Sequence, residues 1–178
     1  ARRAGDPQLR PLHLLRHPLP GPDPRARLMA GVVLGVGSPE GGDRLGWMVV
    51  ERLTAQGEGR ARLEALDRPG PALVTAVVDA DFAVIVDAVR SPAHAGPLHR
   101  LTTTEQLTEP SPTSTHGFGV AEALALGERL DQLPPWVVIG VAIPDGSLPG
   151  EAVLAEAVEA VQREVVAFSA GSAGGVRG

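Results

Sequence analysis

No cysteine occurs among the 178 residues of the chain. Disulfides, thiolate metal centres and cysteine nucleophiles are excluded together. Tyrosine is also missing, and aromatic residues make up only 3% of the sequence. The core must therefore be built from Leu, Val, Ile and Ala, and nucleic-acid binding by base stacking has little to work with. Basic charge is scarce as well. The formal net charge is −5, and no basic patch stands outside the N-terminal stretch, which argues against a nucleic-acid partner. Long apolar runs are lacking: the longest, such as WVVIGVAI at 136–143, fall well short of the roughly 20 residues that cross a bilayer. No apolar secretory segment opens the sequence. The expectation is a cytoplasmic protein with no membrane association.

Two catalytic signatures are absent too. There is no Gly-Lys-Ser/Thr to make a phosphate-binding P-loop. Neither Ser38 nor Ser114, the serines nearest the candidate site, lies in a Gly-x-Ser-x-Gly elbow, so a serine triad finds no support.

What is present is 43% hydrophobic residues, enough for one domain with a real core. Residues 1–28 are rich in Pro and Arg and keep no sustained period. They read as a disordered or loosely attached extension, with the ordered pattern starting at Met29. From there apolar runs alternate with helical spacing. AGVVLGV, DFAVIVDAV and WVVIGVAIP read as buried strands. Leu45, Met48, Val49 and Leu53 recur at helical spacing after Asp43. ARLEAL allows a weak strand, PGPALVTAVVDA a short helix, PLHRLTT an edge strand, and EQLTEPSPTST a loop. HGFGVAEALALGERLDQL reads as an amphipathic helix stopped by Pro134 and Pro135, and LPGEAVLAEAVEAVQREVVAF as a long one. The domain is expected over 29–168, with 169–178 a flexible tail. The alternation predicts an α/β fold: a three-layer sandwich with a twisted, mostly parallel central sheet and helices on both faces.

In such sheets ligands bind outside the carboxyl ends of the strands. That rule singles out Asp43, Asp87 and His116. Asp43 lies within the stretch GVGSPEGGDRLG, which also holds Gly35, Gly37, Gly41, Gly42 and Gly46. Three readings of that stretch are open: a plain turn, a phosphate cradle, or a loop that holds a carboxylate over a metal. The dinucleotide pattern is broken, since Glu40 stands where its third glycine belongs and would repel a pyrophosphate. Asp87 ends an apolar strand, where an unpartnered carboxylate is costly; a loop-anchoring hydrogen bond is the bland alternative. His116 opens a predicted helix that Ser114 could cap. His94 and His99 read as surface residues. Two carboxylates and an imidazole together suit a divalent first-row ion with open positions.

Four blocks, GVGSPEGGDRLGWMVVERL, DFAVIVDAV, STHGFGVAEALAL and VVIGVAIP, occur in an order that resembles the hydrogenase maturation peptidases. These endopeptidases process the large subunit of nickel–iron hydrogenases. The likeness runs from about Met29 to Phe168. It implies an aspartyl-type endopeptidase that recognises nickel in a hydrogenase large-subunit precursor and removes its C-terminal peptide. By the same resemblance Asp43, Asp87 and His116 are the metal-contacting and catalytic residues. Gly35, Gly37, Ser38, Glu40, Gly41 and Gly42 form the loop facing the substrate. The nickel is brought by the substrate, and the enzyme is expected to be a monomer. The sequence departs from the family at Ser38, where Asn is usual, and at Gly42, where a second acid commonly precedes the first; Glu40 could supply that second carboxylate. This marks a divergent branch. The alternatives are a non-catalytic α/β module that binds a partner or nucleotide, and a metal-dependent peptidase with another substrate.

Overall fold

The computed structural model describes residues 31–67, 69–89, 96–108, 119–143 and 146–172. The expectations for residues 1–28, Met29, His94, Ser114 and His116 fall outside them. The apolar runs form the middle of a five-stranded sheet. Its strands are β1 (Gly31–Gly37), β2 (Ala61–Asp67), β3 (Phe82–Val89), β4 (Leu98–Leu101) and β5 (Trp136–Ala142), in the spatial order β2-β1-β3-β5-β4. The first four in that order are parallel, and β4 pairs antiparallel with β5 at one edge. β1 is buried along its whole length, whereas β2 at the other edge alternates buried with exposed positions. This is why β1 reads as a continuous apolar run and β2 does not.

Helices cover both faces. On one face α1 (Leu45–Ala55) and α5 (Glu151–Ser172) pack Leu45, Val49, Leu53, Leu154, Val158, Val161 and Val165 against Val33, Val84, Val86 and Val137. On the other, α2 (Gly70–Val77) and α4 (Val120–Arg129) pack Leu73, Val77, Ala123 and Leu124 against Val32, Leu34, Ile85 and Val138. The structure is thus the three-layer α/β sandwich expected from the sequence. No residue that is polar or charged is fully buried among those described. No described helix is long and apolar enough to cross a membrane.

Three segments differ from the sequence reading. Thr104–Thr108 forms a one-turn helix, α3, where a loop was expected. The Gln106 side chain accepts from the Thr102 and Thr103 amides, at 2.7 and 3.2 Å, and stabilises that turn locally. α4 starts at Val120 rather than at His116, because Gly119 is the capping residue and its amide donates to the Glu122 carboxylate at 3.0 Å. α5 runs on to Ser172, past the expected start of the tail. Phe168 stacks on Phe82 with ring centroids 5.0 Å apart, and the Ser169 hydroxyl donates to the Val165 carbonyl at 2.7 Å.

Connectivity creates a crevice at one place. β1 leads through α1 to β2 on one side, while β3 leads away to β4 and β5 on the other. The strand order therefore reverses between the parallel strands β1 and β3, the position where open α/β sheets bind ligands. The first turn of α1 closes directly onto β1. A Cβ on Gly35 would run into the Gly46 carbonyl, and one on Gly46 would run into the main chain of Val36 and Val86. Gly35 is thus a packing residue inside β1. Gly35→Ala should lower the unfolding free energy by about 1–3 kcal/mol, as overpacking does, measured by urea denaturation. An unchanged midpoint would show that the helix has room to move away.

Candidate active site

The site is built from the ends of β1 and β3. After Gly37 the chain passes through Ser38–Glu40 into a 3-10 turn at Gly41–Arg44 that runs straight into α1. Gly37 allows a close return: a Cβ there would strike the Asp43 carbonyl, and the Ser38 amide donates to that same carbonyl at 3.3 Å. Gly41 has a φ of 54°, which favours glycine. The Gly42 amide donates to the Gly146 carbonyl at 2.9 Å, and the Leu45 amide donates to the Gly42 carbonyl. A phosphate cradle needs amides pointing outward, and those of Ser38, Gly42 and Leu45 are already committed to main-chain carbonyls.

Asp43 is exposed at the rim. Its neighbour Arg44 turns away and pairs with Glu51 at 3.2 Å. Asp87 lies two residues before the end of β3, level with Gly140 of β5. It keeps some exposed surface, but its carboxyl group is sunk against the sheet. Burial pushes that carboxyl up from 3.8 to about 7, the negative charge of Asp43 pushes it the same way, and the Ala88 amide hydrogen bond partly opposes them. Asp43, 44 residues earlier in the chain (87 − 43), thus acts on Asp87 across the β1/β3 crevice. Glu40 is exposed beside the loop.

No group of three His, Asp or Glu side chains suited to one metal ion occurs among the described residues. Asp43 and Asp87 thus offer two oxygen-donor groups. His116, expected as the third donor, lies outside the described residues. Two opposed carboxylates fit a cation, because positive charge between them relieves both the repulsion and the cost of burying Asp87.

His99 was not expected here. On β4 it pairs with Gly140, which pairs in turn with Asp87. The three residues form one row across neighbouring strands, on the sheet face that carries Ile85 and Val138. The Nε2 atom of His99 is buried and has no hydrogen-bond partner. The sequence reading placed His99 on the surface, and β4 is indeed the edge strand the sequence suggested. The missed signal is strand register: opposite a glycine, the imidazole lies over the sheet.

No protein-family model matches the sequence, and no curated protein matches it. Solved structures do. The NiFe hydrogenase maturation protease HycI from Thermococcus kodakarensis KOD1 is 20% identical over 79% of this chain and 93% of its own, with a TM-score of 0.60. The hydrogenase maturating endopeptidase HybD from E. coli is 24% identical over 76% of this chain and 91% of its own, with a TM-score of 0.61. The NiFe hydrogenase maturation protease HybD from Thermococcus kodakarensis is 20% identical over 76% of this chain and 98% of its own, with a TM-score of 0.55. The fold is accordingly an α/β sandwich of the hydrogenase maturation protease type.

Two outcomes follow from the geometry. In the folded protein the Asp87 carboxyl holds its proton up to about pH 7, while in the unfolded chain it releases it near pH 4. Its contribution to stability is complete below the lower value and is lost as pH rises through the higher one. Asp87→Asn should flatten this fall and raise the melting temperature at pH 8 by about 3 °C or more; parallel pH profiles for the two proteins would contradict it. His99→Leu removes a buried, unpartnered nitrogen and should leave stability unchanged or raise it by up to about 3 kcal/mol in chemical denaturation. A clear loss would mean that the imidazole has a partner.

Proposed function

We propose that this chain is a hydrogenase maturation endopeptidase of a divergent branch. Its substrate is the precursor of a nickel–iron hydrogenase large subunit, whose C-terminal peptide it removes. The observation that carries the reading is the placement of Asp43 just after β1 and of Asp87 near the end of β3, at the crevice where the strand order reverses. The shared fold supports it, since the similar solved structures are described as hydrogenase maturation proteases or endopeptidases. The protein is proposed to work as a monomer in the cytoplasm.

Nickel enters as cargo of the precursor. Asp43 and Asp87 contribute oxygen donors toward it, and His116 is proposed to contribute a nitrogen donor. Such a set would leave positions for the precursor's own ligands and make the metal the mark by which a loaded precursor is recognised. Asp87, a carboxylate at the end of β3 in the crevice, is the residue assigned to move a proton. As a carboxylate it takes a proton from water while the water oxygen bonds to the scissile carbonyl carbon. The same proton then passes to the leaving amine as the C–N bond breaks. No serine or cysteine nucleophile is required. The loop glycines keep side chains away from the rim, where the substrate chain approaches.

The test is to incubate the protein with nickel-loaded and nickel-free large-subunit precursor and read the product by mass. Only the loaded precursor should lose its C-terminal peptide. Asp87→Ala and His116→Ala should each slow processing by at least about 100-fold without loss of the folded far-ultraviolet spectrum. Equal cleavage of both precursors, or full activity in either variant, would refute the assignment.

A further inference from the structure

Gly42 stands where the family resemblance leads to a second acid, and the structure gives a reason for its bareness. Gly42 is buried although the residues on either side of it are exposed. A Cβ at this position would lie 2.7 Å from the Gly146 carbonyl oxygen and 2.8 Å from that of Ser147. Real Cβ atoms do not approach main-chain oxygens this closely, so any side chain at 42 would have to displace the connection between β5 and α5. The described part of that connection is fixed by its own contacts. The Gly146 amide donates to the Ile143 carbonyl at 3.1 Å, and Gly146 adopts a φ of 76°, a conformation that favours glycine. This segment therefore meets Gly42 with its main chain and accepts the Gly42 amide hydrogen bond at 2.9 Å.

Asp43 is the next residue, and its own carbonyl is tied back to the Ser38 amide. Its backbone is thus held between two fixed points: the end of β1 on one side and the segment after β5 on the other. We infer that Gly42 is a positioning residue: its missing side chain lets the 146–147 segment clamp the glycine-rich loop, and the clamp holds Asp43 toward Asp87. This inference rests on the reading of Asp43 and Asp87 as the cation-facing pair of the peptidase. It also accounts for the departure from two adjacent acids, because the space a second acid would need is filled by main chain from another element.

The experiment titrates Ni2+ alone, by calorimetry, into the full chain and into Gly42→Ala, Asp43→Asn and the double variant. Gly42→Ala should weaken the metal about tenfold, and the double variant should bind no more weakly than Asp43→Asn, since both changes act through one carboxylate. Gly150→Ala, with open space around its Cα, should bind as the wild type does. If Gly42→Ala fails to fold, Gly146→Ala strains the same clamp from its other side and should give the same loss. Wild-type affinity in Gly42→Ala, or additive losses in the double variant, would overturn the inference. A different result exposes failure of the underlying reading: Asp43→Asn then binds Ni2+ as the wild type does. In that event amide hydrogen exchange at Gly42 decides for the clamp. Protection in the wild type that is lost in Gly146→Ala upholds it, and no protection in the wild type overturns it.

Discussion

The account depends on one electrostatic opposition. Asp87 is a carboxyl group sunk at the end of an apolar strand, and the charge nearest to it in effect, that of Asp43, is of the same sign. Burial and repulsion both favour the protonated form. A protein gains no stability from such an arrangement at neutral pH. Replacing Asp87 with an apolar residue would serve the fold better, so the residue calls for an explanation in ligand binding or proton transfer. Perturbed carboxylates in a crevice are where such chemistry is found.

The rest of the molecule can be understood as the scaffold that creates this opposition. The connections after β1 and β3 leave toward opposite sides of the sheet, and this opens the crevice between the two strands. Gly35 and Gly46 let α1 sit down on β1 at backbone contact, so the loop between them is short and its acid stays near the strand ends. Gly37 and Gly42 fix the two sides of Asp43. Elsewhere the core is entirely apolar among the described residues. The departures from apolar economy gather at one level of the sheet: Asp87, and the unpartnered His99 nitrogen in the same row across Gly140.

Much of the fold was legible in the sequence because its central strands are buried on both faces. GVVLGV, AVIVDA and VVIGVA announce themselves by composition alone, and the spacing of Leu45, Val49 and Leu53 marks α1. The edges were less clear. β2 alternates with charged residues, and α3 is one turn of Thr, Glu and Gln that a side-chain hydrogen bond supports. Gly119 as the cap of α4 was hidden because Ser114 and Thr115 are better capping residues by type. The candidate site was half legible. The rule that ligands bind at strand ends pointed to Asp43 and Asp87, which the structure places after β1 and near the end of β3. The glycines were harder to apportion. A local cluster reads as a turn, but Gly35 is needed by a helix and Gly42 by a loop 104 residues later in the chain (146 − 42). His99 was hidden for the same reason, since its place depends on register with Gly140. Such non-local demands leave no periodicity to read.

The central claim is that Asp43 and Asp87 face one shared cation position. Anomalous diffraction at the nickel absorption edge, from crystals of the protein soaked in Ni2+, tests this most directly. The account predicts one strong peak in the crevice between β1 and β3, within coordination distance of carboxylate oxygens from both residues. A crevice without nickel, in crystals that hold the ion elsewhere, would contradict it.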